Sequence, residues 1–271
     1  KRDNTYFLSS ETCALDTVGA EFVRDVLPGE VVTITSKGIE SDTSLCQKNT
    51  ARCIFEYIYF ARPDSKIDGM GVYESRINAG RILAKTHPVD ADLVVGVPES
   101  GNPAALGFSL ESGIPYGNAF IKNNYVGRTF IKPKQSSRES SVRVKLNVLK
   151  EAVDGKRIIM IDDSIVRGTT SDRIVKMLRD AGATEVHVRI SSPPFLWPCY
   201  FGTDIPEREQ LIAYNRSIED IRKIIGADSL GYLGVERLEE MVGGLSICKG
   251  CFTGTYPMEP PKEDIRGDFE R

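Results

Sequence analysis

The run IIMIDDSIVRGTT, from Ile158 to Thr170, sets Asp162 and Asp163 side by side at the end of an apolar stretch and follows them with small hydroxyl residues, an arginine and a glycine. An apolar run of this kind reads as a buried strand, and the residues after Thr170 take helical spacing. In an open parallel sheet the ligand crevice lies beyond the carboxyl ends of the strands, where the acid pair falls. The stretch Ser164, Ile165, Val166, Arg167, Gly168, Thr169, Thr170 then leads into a helix N-terminus, whose free N–H groups and dipole favour a phosphate dianion. Ser164, Thr169 and Thr170 can add hydroxyl donors, and Gly168 permits close backbone approach. Two carboxylates would repel that phosphate, so they must face another part of the same ligand: adjacent hydroxyls or a bound Mg2+. A phosphorylated sugar satisfies both halves. A lone Asp-Asp more often caps a turn, and hydroxyls more often cap a helix, at about 1 kcal/mol. Strand, acid pair and hydroxyl loop together make the block specific.

Two other groups could do chemistry. The segment from Lys122 to Lys145, KNNYVGRTFIKPKQSSRESSVRVK, is basic, serine-rich and poor in apolar residues, and it reads as a long exposed loop. Its cations Lys122, Arg128 and Lys132 are candidates for neutralising charge on a leaving group. Without its neighbours the run would be a solvated loop or a weak nucleic-acid patch. The six cysteines, Cys13, Cys46, Cys53, Cys199, Cys248 and Cys251, are too few for a disulfide scaffold in a chain this long. Cys248 and Cys251 have the C-x-x-C spacing that lets two thiolates reach one metal, and the same spacing fits a redox dithiol or a packed pair. Cys53 and Cys199 lie far apart in sequence, which suits a cluster pinning distant elements together.

The elements that must position these residues are legible in outline. DLVVGVP, RIIMID and EVHVRIS are buried-strand candidates, with helices in NPAALGFSLESG and TSDRIVKMLRDAG between or after them. Apolar strands alternating with helices predict an α/β fold, a mainly parallel open sheet with helices on both faces. Ile174, Val175 and Leu178 are assigned to the inner side of the second helix, which closes at Gly182. Before the sheet, YESRINAGRILAKTH has helical spacing with Ile77, Ile82 and Leu83 on its buried face, while RCIFEYIYFARP reads as a strand or edge ribbon stopped by Pro63. The opening stretch from Tyr6 reads as a strand, a short helix, a Pro28-Gly29 turn and a β-branched strand ending near Lys37. SIEDIRKIIGADSLGYLGVERLEEMV offers two amphipathic helices, and PMEPPKEDIRGDFER has the composition of a disordered tail.

The whole chain sets few further bounds. Its 271 residues, 41% apolar, allow a substantial core, and 35 basic against 38 acidic residues give a formal charge of −3. Nothing global recommends nucleic acid or an anionic membrane as partner. No apolar stretch approaches the roughly 18–20 residues of a membrane span, and KRDNTYFLSS holds no signal-peptide core, so the expected compartment is the cytoplasm.

The acid-pair block resembles the phosphoribosyl pyrophosphate signature of type I phosphoribosyltransferases. EYIYFARPDS, VGVPESG, KNNYVGRTFIKP, MIDDSIVRGTTS, GATEVHVRISSPP and CFTGTYP narrow the resemblance to the amidophosphoribosyltransferase family, in its order and spacing, from about Phe7 to Pro257. The resemblance implies the type I phosphoribosyltransferase fold over residues 38–225. It implies a remnant of a glutaminase domain over 1–37, a C-terminal helical segment with the C-x-x-C over 226–256, and a tail over 257–271. It implies transfer of a phosphoribosyl group to ammonia, with loss of pyrophosphate, at the start of purine biosynthesis. In such an enzyme Asp162 and Asp163 would hold the ribose hydroxyls and Mg2+, and Ser164 to Thr170 would cradle the 5-phosphate. The VPESG loop, with Glu99, Ser100 and Gly101, would meet the pyrophosphate. Some members have a metal-associated serine where this chain has Gly101, and Ser100 is the nearest substitute. The basic loop would close over the substrate, although Asn124 stands where the family commonly has a third-position arginine.

The resemblance also implies a 4Fe-4S cluster on Cys53, Cys199, Cys248 and Cys251, leaving Cys13 and Cys46 as ordinary thiols. Family members assemble as dimers or tetramers and are inhibited by purine nucleotides. The family's glutaminase half begins with a nucleophilic cysteine. This chain begins at Lys1, and Cys13 cannot take that part, so ammonia rather than glutamine is its expected nitrogen source. Two other readings share the acid-pair block: another purine-related phosphoribosyltransferase, or a non-catalytic nucleotide-binding or assembly subunit.

Overall fold

The computed structural model describes residues 1–46, 50–123, 146–202 and 207–260. Its centre is built from α1 (Val72–Thr86), β1 (Leu93–Gly96), α2 (Gly101–Ser112), β2 (Arg157–Asp162), α3 (Thr169–Asp180), β3 (Glu185–Ile190) and β4 (Ser229–Tyr232). The four strands form one parallel sheet in the order β4-β3-β2-β1. From β1 the chain runs through α2 to Tyr116, which bridges in parallel to Val94. It then returns to pair as β2 on β1, so the two directions of winding part between β1 and β2. Alternation along the strands gives each face its own core. Val94, Ile159 and Ile161 pack with α1 and α2, whereas Val95, Ile158, Met160, Val186 and Val188 pack with Ile174, Val175 and Leu178 of α3. The expected layered α/β architecture is present, and Ile77, Ile82 and Leu83 are buried as their spacing required.

Three stretches depart from the sequence reading. RCIFEYIYFARP is a strand only at Arg52–Cys53, paired with Ile247–Cys248; it then coils through a π-helical turn at Glu56–Phe60. Ile54, Phe55, Tyr57, Ile58 and Ala61 are buried, and their spacing is helical, so burial on one side overrode aromatic β-propensity. SIEDIRKIIGADSLGYLGVERLEEMV contains a helix at Ile218–Ile224 and a four-residue helix at Leu238–Met241, but SLGY between them is β4. Gly226, at φ +69°, ends the first helix, and the open edge of β3 supplies the backbone partners that make the next residues a strand.

At the start of the chain Tyr6–Ser10 is not a strand: among the described residues only an isolated Arg2–Thr5 bridge precedes the helix at Thr12–Thr17. A strand needs a ladder partner, and no described strand lies beside it. The Pro28-Gly29 turn and the β-branched strand do form, as Val31–Thr35 paired antiparallel with Gly38–Asp42. Phe7, Leu8, Phe22, Val23, Val26 and Leu27 remain exposed, so this stretch builds no core of its own. The region after Asn123 and the residues beyond Pro260, including most of the expected loop and tail, lie outside the described residues. No described helix is long and apolar enough to cross a membrane.

Helices α1 and α2 approach through a reciprocal pair of glycines. A Cβ on Gly80 would collide with the Ala104 carbonyl oxygen, and one on Gly107 would collide with the Ile77 carbonyl oxygen. Replacing an interior helical glycine by alanine ordinarily stabilises by up to about 1 kcal/mol. Here overpacking reverses the sign, and Gly80→Ala is expected to destabilise the chain by about 2–3 kcal/mol in urea unfolding.

Candidate active site

β2 carries five consecutive buried residues and delivers Asp162 at its carboxyl end. Asp162 and Asp163 are each only 7% exposed. The Asp162 side-chain Oδ1 accepts from the Asp163 backbone N–H at 2.9 Å, and the Asp162 carbonyl accepts from Ser191 N–H at 2.9 Å. Asp163 is held by hydroxyls: Ser164 Oγ donates to Oδ1 at 2.6 Å and Ser100 Oγ donates to Oδ2. Ser100 arrives from the end of β1, where Val97 N–H donates to the Ile161 carbonyl at 2.8 Å and Gly101 N–H to the Val97 carbonyl at 3.0 Å. The Pro98–Glu99 peptide bond in this loop is cis. Gly101 opens α2 hard against β2, and a Cβ there would lie 2.5 Å from the Ile161 carbonyl oxygen. Position 101 therefore has no room for a side chain, and the hydroxyl beside the acid pair comes from Ser100.

Burial raises the affinity of both carboxyls for protons. For Asp162 the second cause is the neighbouring Asp163 charge. For Asp163 the hydroxyl bonds from Ser100 and Ser164, and then the positive Arg76, pull the other way. The strain of unrelieved charge therefore falls more on Asp162. Arg76 is itself only 2% exposed. It donates from Nε to the Tyr57 carbonyl and from Nη2 to the Ala61 carbonyl, each at 2.8 Å. Composition did not single it out, but an arginine within the apolar stripe of α1 is a signal that could have been used.

The loop after the acids divides its labour. Ile165 and Val166 send their side chains into the two cores and serve as anchors. Ile212 N–H donates to the Val166 carbonyl at 2.8 Å. Gly168, at φ +83°, occupies the N-cap of α3, where no side-chain cap is made and where a Cβ would collide with Ile212. No described group accepts a hydrogen bond from the backbone N–H of any residue from Ile165 to Thr170. Thr169 and Thr170 stand exposed at the mouth of the same helix. Arg167 turns aside to Gln210, Nη2 to Oε1 at 3.0 Å. Across the site Glu99 and Lys122 pair at 3.2 Å, both largely exposed. Arg128, Lys132 and Asn124 lie outside the described residues.

The four cysteines that sequence reading grouped do converge. Cys53 and Cys248 are register partners, and the Cys251 carbonyl accepts from Leu196 and Trp197 N–H at 3.1 Å each, beside Cys199. Burial pushes the Cys251 thiol far up, and the nearby Cys53, Cys199 and Cys248 push it further. Among the described residues no three of His, Cys, Asp or Glu are grouped so that they could hold a metal ion. Cys13 is elsewhere, its Sγ 3.9 Å from Glu11 Oε2.

A buried like-charged pair is a liability in the ligand-free protein. Both carboxyls bind protons more tightly folded than unfolded, so their cost is absent below the ordinary aspartate range of about 4 and grows as pH rises through it. Asp162→Asn is expected to raise the melting temperature of ligand-free protein at pH 7, with the difference vanishing towards pH 3. Equal melting curves at pH 7 would contradict the assignment of strain.

No family model matches the chain. It is 53% identical over 266 residues to the amidophosphoribosyltransferase of Archaeoglobus fulgidus, spanning 97% of this chain and 58% of that protein. It is 52% identical over 262 residues to the Bacillus subtilis amidophosphoribosyltransferase, spanning 94% and 55% respectively. The solved structure of the B. subtilis glutamine phosphoribosylpyrophosphate amidotransferase, complexed with ADP and GMP, matches with a TM-score of 0.85 at 52% identity, over 94% of this chain and 57% of that one. The chain thus spans little more than half the length of the relatives it matches. Over that span, in sequence and in fold, it belongs to the amidophosphoribosyltransferase family.

Proposed function

We propose that the chain carries the phosphoribosyl-transfer half of an amidophosphoribosyltransferase, a cytoplasmic enzyme that displaces pyrophosphate from phosphoribosyl pyrophosphate with ammonia and forms 5-phosphoribosylamine. The observation that supports it most is the meeting of a buried acid pair and an uncapped amide loop beyond the carboxyl ends of β1 and β2, between which the direction of winding changes, the place where open α/β sheets bind ligands. In this reading the amides of Ile165 to Thr170 and the hydroxyls of Ser164, Thr169 and Thr170 take the 5-phosphate. Asp162 and Asp163 take the ribose hydroxyls. Glu99, Ser100 and Gly101 border the pyrophosphate, with Lys122 in reach of the charge it gains on leaving. Ammonia is itself the nucleophile, so no side chain needs to act as a strong base. The protein's work is alignment of C1, stabilisation of charge and exclusion of water from an oxocarbenium-like centre. Arg128 and Lys132 are read as part of that closure.

The paired carboxylates offer hard oxygen donors with surplus negative charge, which fits Mg2+. Bound there, Mg2+ would offset the charge of the acids and of the pyrophosphate. A purine nucleotide carries a 5-phosphate too and would compete for the same loop, in keeping with the ADP and GMP in the B. subtilis structure. Cys53, Cys199, Cys248 and Cys251 are read as the ligands of a 4Fe-4S cluster that ties the Arg52–Cys53 strand and the Phe195–Cys199 stretch to the C-terminal segment. The transfer moves no electron, so the cluster's role is structural.

Two measurements test this reading. Pyrophosphate release should require phosphoribosyl pyrophosphate, Mg2+ and ammonium together and should stop with a chelator. Release with adenine or hypoxanthine in place of ammonia would instead indicate a salvage transferase, and binding without turnover would indicate a non-catalytic subunit. Cys248→Ser should lose bound iron and melt several degrees lower, a destabilisation on the order of 2 kcal/mol for a lost tether. A variant with full iron and an unchanged melting temperature would remove the cluster assignment.

A further inference from the structure

The stretch from Glu207 to Tyr214 touches both the four-cysteine corner and the phosphate loop. At one end the Arg208 guanidinium lies 3.5 Å from the Trp197 ring centroid and 4.9 Å from that of Tyr214. Arg208 Nε also donates to the Leu196 carbonyl at 3.0 Å. Leu196 and Trp197 are in turn fixed to the Cys251 carbonyl by their N–H groups. At the other end Gln210 receives Arg167, and Ile212 holds the Val166 carbonyl and fills the space beside Gly168. Short-range bonds stiffen the piece between, with Leu211 N–H donating to the Arg208 carbonyl and Tyr214 N–H to the Leu211 carbonyl, each at 3.1 Å. The acid pair takes no part in this chain of contacts. Its side chains are restrained by Ser100, Ser164 and the Asp163 N–H, and the Asp162 carbonyl by Ser191, none of them in Glu207–Tyr214.

We propose that Glu207–Tyr214 is a brace that sets the phosphate loop against the cysteine corner, with Arg208 as its positioning residue. The inference rests on reading Ile165 to Thr170 as a phosphate site. A guanidinium between two rings is a directional contact that a lysine reproduces only in part. Loosening it frees Gln210 and Ile212, and with them Arg167, Val166 and Gly168, while the carboxylates stay in place. Misplacing a phosphate cradle by a fraction of an ångström lowers affinity for the phosphate end of a ligand alone.

Trp197 is the single tryptophan of the chain, so the brace reports on itself. Inorganic phosphate and phosphoribosyl pyrophosphate are titrated into the cluster-loaded protein while Trp197 emission and heat of binding are recorded together. The expected result is an emission change that follows the heat. Arg208→Met should weaken both ligands roughly tenfold, Arg208→Lys should fall between, and the Mg2+ dependence should stay where it was. A silent Trp197 during calorimetrically visible binding would overturn the brace. So would unchanged affinity in Arg208→Met, or a parallel loss of phosphate and Mg2+ response. If the variants fail to fold, the wild-type emission decides alone. If neither ligand binds the wild type, the phosphate reading fails and the brace with it.

Discussion

Two carboxylates at the end of an otherwise apolar strand are the constraint around which this molecule is arranged. β2 is flanked by β1 and β3, and its last residue and the next are nearly buried. Water that would stabilise their charge is excluded, and Ser100, Ser164 and the remote Arg76 compensate in part. The remainder is a deficit of positive charge and of hydrogen-bond donors, shaped by the fold. Hydrogen-bond donors or a cation placed beside the acids would remove that deficit.

The loop after the acid pair carries the opposite deficit. Six consecutive residues present amides without described partners at the start of α3, and the N-cap is a glycine that cannot supply a side-chain acceptor of its own. A Ser, Thr or Asp at that N-cap would satisfy the helix locally and close the site to an anion. The chain thus leaves the start of α3 without a side-chain acceptor and the neighbouring acid pair with few donors, a few residues apart on the same turn.

Much of this was legible in sequence because it is encoded by periodicity and charge. Continuous apolar runs gave β1, β2 and β3; helical spacing gave α1 and α3, and a place between strands gave α2. The acid pair and the hydroxyl loop announced themselves by chemical type. What stayed hidden depends on partners distant in the chain. SLGY becomes β4 only because β3 offers an edge. EYIYF has every mark of a strand and coils because one side must be buried. Arg76 stands in the apolar stripe of α1, but its partners, the carbonyls of Tyr57 and Ala61, could not be read from that stripe. The contacts of Arg208 join Trp197 and Tyr214 across a span where no local pattern relates them.

Gly101 shows how close packing decides which residue of a loop can reach the acid pair. A serine at that position would have to place its Cβ 2.5 Å from the Ile161 carbonyl oxygen, which the close fit of α2 on β2 forbids. The preceding residue faces no such wall. Ser100, still outside the helix proper, directs its hydroxyl to Asp163 from the opposite side to Ser164, so the carboxylate is clamped between the loops that end β1 and β2. The tight seat of Gly101 fixes where α2 begins. Where α2 begins fixes which residue of the loop reaches the acid pair. The hydroxyl that reaches Asp163 from the β1 loop is therefore that of Ser100, the residue before the tight seat.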